Sequence, residues 1–282
     1  MAFAPSSLIL ANNFSPLNEA LAVLRKKELD NKLPIKKIFL TAITFPALYH
    51  RQLIKIGWPL LVVGAVSIVV QHLTIGDEGS YIDEAINLIS TAAFVFTLVM
   101  AIVGCHRLFI FGPRADEDYK LFEWTGNEIK YAGWWILIAF VTGIIAIPLW
   151  LMLVPFFQSG FKDIFDNQAF FYAALGLINI PIYYVISRWS LVLPASATDI
   201  HGKDLSWSWG LSSNNGWRLS LLIGFLPFST DLLFDLLPEE QFLIFDLITS
   251  FVWVVIGVIE VGLLSLSYSF ISSHQSDNTA NK

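Results

Sequence analysis

Two aspartates lie four residues apart in an otherwise apolar segment, residues 219–237. Asp231 and Asp235 would share one face of a helix, beside two hydroxyl side chains. Pro227 has no backbone N–H, so it leaves a carbonyl one turn earlier without its helical donor. Together these groups predict a polar pocket that opens outward. The alternative is a short segment in which Asp235 already reaches the outer headgroups and Asp231 bonds to neighbouring hydroxyls.

Three more ionisable residues fall within apolar segments or at their ends. Glu260 is the deepest acid, and Arg107 and Arg188 stand near segment ends. A bare carboxylate in a low-dielectric interior is costly, so it must protonate or find a cation. We therefore predict that Glu260 faces the interior of the bundle and pairs with Arg188 or Arg107. The competing interpretation is that both arginines extend to lipid phosphates while Glu260 stays neutral and hydrogen-bonded.

Known catalytic and metal-binding patterns are absent from the sequence. The pair Glu239-Glu240 is similar to the paired glutamates of intramembrane prenyl-protein proteases, but Ile244 stands where that motif has arginine. There is no Gly-x-Ser-x-Gly elbow, His-Glu-x-x-His helix or glycine-rich phosphate loop. No two of the five histidines have ligand spacing, which favours isolated interfacial histidines over a metal site. The sequence therefore predicts no catalytic residues, no bound metal and no cofactor.

The composition explains where the polar residues must lie. Of 282 residues, 55% are hydrophobic and only 14% are charged, and the mean hydropathy is +0.63. A soluble domain carries charge on about a quarter of its residues, so this chain is predicted to be an all-α integral membrane protein. Crossing about 30 Å of hydrocarbon takes roughly 20 apolar residues in a helix. Six segments qualify: 53–73, 85–111, 132–157, 169–193, 219–237 and 242–271.

Charged residues are distributed unequally between the two sides of these six segments. Lysines and arginines lie before the first segment, in the second and fourth connections and in the C-terminal tail, and only Lys162 lies on the other side. The opposite connections carry acids such as Asp77 and Glu239. Because short basic loops stay in the cytoplasm, the pattern predicts six transmembrane helices with both termini cytoplasmic.

A set of landmarks recurs three times along the chain. A Gly-Trp pair opens each odd-numbered span: Gly57-Trp58, Gly133-Trp134 and Gly216-Trp217. Arg107 and Arg188 each lie near the end of an even-numbered span with proline six residues later, whereas the third unit has Ser267 at the matching position. Because two crossings leave orientation unchanged, we expect three parallel helical-hairpin repeats, at about 36–113, 114–194 and 195–271. Chance recurrence of residues common in membrane helices is the alternative.

The connections before the odd spans mix aromatic residues with charges. Residues 36–51, 118–130 and 205–211 each predict a short amphipathic helix in the cytoplasmic headgroup layer, with an ordinary polar loop as the alternative. Upstream, Ser15-Pro16 and the leucines that follow predict another short helix within residues 1–35. The membrane domain then covers 36–271, and the polar residues 272–282 are predicted to form a disordered cytoplasmic tail.

One stretch also carries a family resemblance. Residues 206–218, Ser-Trp-Ser-Trp-Gly-Leu-Ser-Ser-Asn-Asn-Gly-Trp-Arg, resemble an element of certain bacterial six-helix membrane proteins. These include the membrane domain of some glycerophosphodiester phosphodiesterases and their stand-alone relatives, to which His106-Arg107-Leu108 followed by Gly112 is also similar. The resemblance covers about a fifth of the chain. It implies the six-helix fold and a bacterial inner membrane, and no activity, since the catalytic phosphodiesterase domain is missing from this sequence.

Two classes of function fit these observations. The first is a non-enzymatic scaffold or accessory subunit of a membrane complex, whose partners are membrane lipids and other membrane-protein subunits rather than nucleic acid. It follows from the missing catalytic pattern and the few polar residues within spans. The second is a small-solute or lipid transporter with a polar path through Asp231, Asn179 and Glu260. An enzyme that acts on lipids has the least support.

The six-span topology makes a direct prediction. After Cys105 is replaced, single cysteines introduced near Glu78, Lys162 and Glu239 should react with a membrane-impermeant maleimide added to intact cells, because all three connections lie outside. Labelling is read by gel shift, with lysed cells as the control for reactivity. Protection at Glu239 alone would mean that the fifth segment does not cross the membrane.

Overall fold

The computed structural model describes residues 32–74, 81–113, 124–160, 168–198, 200, 202–235 and 242–280. These residues are helical apart from short turns and contain no strand, which confirms the predicted all-α class. The helix predicted after Ser15-Pro16 and residues 118–123 of the segment 118–130 lie outside the described residues, while residues 126–130 of that segment begin the long helix Gly126–Gly160. The helices are α1 Ile35–Leu48, α2 His50–Thr74, α3 Tyr81–Phe111, α4 Gly126–Gly160, α5 Gln168–Trp189, α6 Val192–Ala197, α7 Leu205–Leu211, α8 Gly216–Leu219, a π turn Ser220–Phe225, α9 Leu226–Asp235 and α10 Leu243–Ala280.

Four of these helices are long and apolar enough to cross a membrane within the described part of the chain. They cover His50–His72, Glu84–Phe111, Gly126–Met152 and Leu243–His274. They coincide with the first, second, third and sixth predicted spans, so the chain is a multi-pass membrane protein by length and composition. The fourth and fifth predicted spans coincide with α5 and with the continuous helical run 216–235. That these two helices also cross stays a prediction.

The long helices pack as neighbours in a bundle. α2 packs along α3, and α4 packs against α5, as expected for two antiparallel hairpins. The π turn packs mainly on α5, while α10 packs on α1, α3 and α2. α3 and α10 also contact each other directly. The run 216–235 packs more loosely on α10 than α2 packs on α3. The rotational equivalence of the three hairpins stays a prediction.

The tightly packed core lies at one end of this bundle, where α3, α5 and α10 finish and α2 and α4 begin. We call it the basic end. The helix α6 is buried throughout its length there, against α4, α3 and α10. Toward the middle of the bundle, apolar side chains on α4 such as Phe140, Leu151 and Met152 are largely exposed. An exposed apolar band above a buried core is what a lipid-facing bundle requires.

Close approach between α3 and α10 depends on a glycine. A Cβ on Gly262 would lie 2.4 Å from Cζ of Phe109. The ring of Phe109 stacks on Phe45 of α1 at 3.7 Å between centroids, so it has little freedom to move away. The glycine therefore sets the distance at which α10 packs against α3 and α1, as small residues commonly do between membrane helices.

The predicted tail differs from the structure. Residues 272–280 continue α10 as a helix to Ala280, whereas their polarity had predicted disorder. The physical reason lies in the sequence after Gly262, which has no glycine or proline to end the helix. By contrast, two of the predicted connecting helices are confirmed as helices: α1, Ile35–Leu48, covers most of 36–51, and α7 covers 205–211.

The glycine contact predicts a difference between two substitutions on one helix. Gly262→Ala should lower the stability of the protein in detergent by about 1–3 kcal/mol, because the added methyl group overpacks a rigid aromatic site. Gly257→Ala is the matched control, since a Cβ there meets no atom within 4 Å. It should leave stability unchanged or raise it by up to about 1 kcal/mol through helix propensity. Equal melting temperatures for both variants would contradict the packing role of Gly262.

Candidate functional site

Arg188 is buried at the basic end, in the last turn of α5, with only 6% of its surface exposed. Its Nε donates to Oγ of Ser212 at 2.8 Å, its Nη1 donates to the hydroxyl of Tyr184 at 3.2 Å, and its Nη2 donates to the carbonyl of Trp209. The guanidinium also lies over the indole of Trp209, 3.6 Å from the ring centroid. A planar fork and a flat cation are both needed for this set of contacts, which favours arginine over lysine.

The helix α7 is held across the end of α5 by further hydrogen bonds. Asp204 caps its N-terminus by accepting from the backbone N–H of Trp207 at 2.7 Å. Ser208 donates to the carbonyl of Arg188 at 2.5 Å and lies 3.2 Å from that of Trp189. The last carbonyls of a helix have no internal donor, so Ser208 supplies one for α5 while Arg188 supplies one for α7.

Arg107 makes a corresponding set of contacts between helices near the end of α3. Its Nε donates to the carbonyl of Ala197, the last residue of α6, at 2.8 Å. Its Nη1 lies 3.8 Å from Oε1 of Glu128, which is 2% exposed. The same carboxylate accepts from the backbone N–H of Thr125 at 2.8 Å and from its hydroxyl. Thr125-x-x-Glu128 is therefore a capping box at the start of α4, joined to α3 through Arg107.

The two arginines have similar roles in two consecutive predicted units. Each lies near the end of an even-numbered predicted span and holds the segment that leads into the next odd-numbered one. Glu128 precedes the Gly-Trp pair of its unit by five residues, and Ser212 precedes its own by four. This shared function is compatible with the predicted repeat, although the acceptors are a carboxylate and a carbonyl for Arg107 and two hydroxyls and a carbonyl for Arg188.

The contacts that join the chain before α1 to the start of the run 216–235 are of a different kind. The backbone N–H of Leu33 donates to Oδ1 of Asn215 at 2.7 Å, and Nη1 of Arg218 donates to the carbonyl of Leu33 at 2.7 Å. These bonds tie the chain just before α1 to the start of the run 216–235. At Ser267, where the repeat would place an arginine, the hydroxyl is buried and has no hydrogen-bond partner within the described residues.

His106 lies fully buried where α3, α4 and α10 meet. Its Nδ1 is 2.7 Å from Oγ of Ser265, which in turn lies 2.7 Å from the carbonyl of Val261. Its ring is 5.5 Å from the ring of Tyr131. With zero exposure, His106 links two helices through a polar contact rather than presenting a ring to a substrate.

The residues predicted as an intramembrane polar site are not all brought together. Arg107 and Arg188 lie at the basic end in the separate settings given above. Glu260 is partly buried on α10, and its predicted pairing with an arginine stays a prediction. Asp231 and Asp235 belong to α9, but their side chains lie outside the described residues.

Asn179, the remaining residue of the predicted polar path, lies on α5. Its Oδ1 accepts from Nε1 of Trp150 on α4 at 3.3 Å. This bond joins the two helices of the second hairpin, so the amide is used for packing. Whether the path through Asp231 and Glu260 exists stays a prediction.

Sequence reasoning missed Glu128, Ser212 and Asn215 as members of this site. The capping-box spacing at Thr125 and Glu128 was visible and could have identified the first. Ser212 and Asn215 carry no comparable signal, because hydroxyl and amide side chains are common in connecting segments. No group of three or more possible metal ligands occurs among the described residues. No protein-family model, curated protein or solved structure matches the chain, so the resemblance seen in 206–218 and 106–112 stays a prediction.

A double-mutant cycle separates two possible carboxylate partners of Arg107. Glu128→Gln, Arg107→Gln and their double variant should show coupling, with Arg107→Gln costing about 2–4 kcal/mol because it leaves a buried carboxylate without its cation. The measurement is the melting temperature in detergent, and the double should be little worse than the worse single variant. The same cycle with Glu260→Gln, against Arg107→Gln and against Arg188→Gln, tests the pair predicted from the sequence. Strictly additive losses in both would rule that pair out.

Proposed function

We propose that this chain is a six-span membrane protein of three parallel hairpins, with both termini in the cytoplasm of a bacterial cell, that acts as a non-enzymatic scaffold or accessory subunit of a membrane complex. The proposal rests on the hydrogen bonds of the polar side chains at the basic end. They bond to one another and to helix ends, and in doing so hold the bundle together.

Accessibility supports a structural role for these groups. A catalytic side chain must reach its substrate, yet Arg188, Glu128 and His106 are at most 6% exposed. The partners of Arg188 and His106 are hydroxyls and a carbonyl, and those of Glu128 are Thr125 and Arg107. An arginine enclosed in this way fixes geometry, and removing it would loosen several helices at once.

The outer surface supports association within a membrane. The 35 residues of α4 extend about 52 Å at 1.5 Å per residue, which exceeds the roughly 30 Å of hydrocarbon. One side of this helix exposes Trp135, Ile136, Phe140 and Ile144 in succession. Spacings of one, four and four residues give a continuous apolar stripe, which can contact lipid or an apolar helix of another subunit.

The charges favour the proposed orientation. Arg51, Lys55 and Lys130 are exposed at the basic end. The indoles of Trp58 and Trp217 are exposed at the same end, as expected for an aromatic belt at a membrane surface. Short basic connections stay in the cytoplasm, so the basic end would face it.

A transporter of small solutes or lipids, with a polar path near Asp231 and Glu260, is the second candidate. One observation favours it: the π turn Ser220–Phe225 comes immediately before Pro227 and Asp231. Single π turns inside helices occur often at functional sites. Gly224 lets this turn approach α5, since a Cβ there would lie 2.7 Å from Cβ of Tyr183.

The scaffold and the transporter proposals predict different effects of substitutions at Asp231 and Arg188. A tagged chain is extracted from native membranes in mild detergent, and its partners are identified by native mass spectrometry with stoichiometry. The scaffold proposal predicts a stoichiometric protein partner that is retained by Asp231→Asn and lost with Arg188→Gln, because the latter disrupts the basic end. A monomer without a protein partner, together with solute or lipid flux in liposomes that Asp231→Asn abolishes, would replace the scaffold with the transporter.

A further inference from the structure

Helix α1 is attached at both of its ends to the basic end of the bundle. Before its first turn, Leu33 is bonded to Asn215 and Arg218, where the run 216–235 begins. After its last turn, Tyr49 leads directly into α2. The 14 residues of α1 extend about 21 Å at 1.5 Å per residue. Because α2 and the run 216–235 both begin at the basic end, α1 crosses from one to the other instead of projecting along the bundle.

The inner face of α1 packs on α10 and α3. Ile38 and Phe45 are buried on this face, and Phe45 stacks on Phe109 of α3. The main neighbour of α1 is α10, which continues as a helix to Ala280, past the core residues around Gly262. α1 therefore lies beside α10 and not over its end. Since α10 is long and apolar enough to cross a membrane, the opposite face of α1 points sideways, into the plane of that membrane.

The centre of this outward face is apolar. Leu40 is 50% exposed and Ile43 is 42% exposed, and Ala47 is exposed as well. Their spacings of three and four residues place them in one row along the helix, which we call the outer stripe. Ile54, which is 58% exposed, follows near the start of α2. A contiguous apolar surface of this kind marks a contact with lipid or with another protein.

A polar row runs beside the outer stripe. Lys37, Thr41 and Thr44 are spaced by four and three residues, and they lie about a quarter of a turn around the helix from the outer stripe. Leu48 ends this row, next to the non-helical Tyr49 where the chain enters α2. A helix at a membrane surface places its apolar side toward the acyl chains and its polar side toward water. The two rows thus fit the boundary between headgroups and acyl chains.

Bases stand at both ends of the outer stripe. Lys36 is one helical turn before Leu40, and Arg51 is four residues after Ala47. Both are exposed, as is Lys55 one turn further along α2. Residues 31–76 contain no aspartate or glutamate, so the charge of this segment has one sign. Each base near an anionic membrane surface adds favourable binding energy, which favours a partner that combines acyl chains with net negative charge.

We infer that the outward face of α1 binds anionic phospholipids of the leaflet at the basic end. Leu40 and Ile43 contact the upper part of the acyl chains, while Lys36 and Arg51 contact the phosphates. A zwitterionic lipid fits the outer stripe equally well, but it brings its own ammonium group to the phosphate and so gains less from the bases. The site requires only that α2 and α10 cross the membrane and does not depend on the scaffold role, so the two proposals can fail separately.

The test measures which lipids contact α1 at one position. Cys105 is replaced, a fluorescent label is attached through Ile43→Cys, and the full chain is placed in bilayers of phosphatidylglycerol and phosphatidylcholine. One lipid at a time carries brominated acyl chains, which quench the label on contact. We expect both lipids to quench the label, with phosphatidylglycerol preferred over its share of the bilayer. Arg51→Ala should lower this preference by up to about fivefold, because one base is removed from the surface.

Two controls test whether the preference is local to α1. Lys130→Ala removes an exposed base from α4, whose main neighbours are α3, α5 and α6, and should leave the preference at Ile43→Cys unchanged. A label at Phe140→Cys, on the exposed apolar side of α4, should be quenched equally by both lipids, since residues 131–160 contain no charged side chain. Melting temperatures establish that each variant is folded.

Three results would overturn the site. A label at Ile43→Cys that neither lipid quenches would mean that protein or water covers the face. Equal quenching there by the two lipids would leave no role for the bases. Equal effects of Arg51→Ala and Lys130→Ala would mean that the preference belongs to the whole basic end and not to α1.

Discussion

The folded arrangement depends on how the ends of helices α5 and α7 obtain hydrogen-bond donors at the basic end. The last carbonyls of a helix carry partial negative charge and no internal partner. Arg188, Ser208 and Ser212 supply each other and these carbonyls in one closed set of bonds. The guanidinium is also stacked on Trp209, so the chain turns back after α5, and α6, which lies between α5 and α7 in the sequence, is buried against α4, α3 and α10.

Polar contacts between helices are important here, because little else in the bundle determines which helices pack against each other. Between helices in lipid the hydrophobic effect does not favour one apolar contact over another, so close packing and interhelical hydrogen bonds decide. Gly262 and Gly224 permit the close approaches. Arg107 with Glu128 and His106 with Ser265 add directional bonds between helices. At the opposite end, His72 lies 3.3 Å from Asp246, which joins the end of α2 to the start of α10.

The parts of the structure that a sequence predicts well are those with a local cause. Hydropathy and length located α2, α3, α4 and α10, because each must be apolar over a whole span. The end of α10 was predicted wrongly, since polarity in 272–280 says nothing about a helix that lacks a stop signal. The carbonyl partners of Arg107 and Arg188 were not predictable, because the backbone carbonyls of Ala197 and Trp209 are chemically identical to all others. Only the fold brings those atoms near an arginine.

The contacts around the third predicted unit differ from those that Arg107 and Arg188 make. Where an arginine would align, Ser267 has a short side chain that reaches no partner among the described residues. The closing bonds come instead from Asn215 and Arg218, which hold both backbone groups of Leu33. Since Leu33 leads directly into α1, and α1 packs on α10, the last helix is fixed by the first segment of the described chain. These bonds hold the backbone at the entry into α1, which makes that entry part of the core.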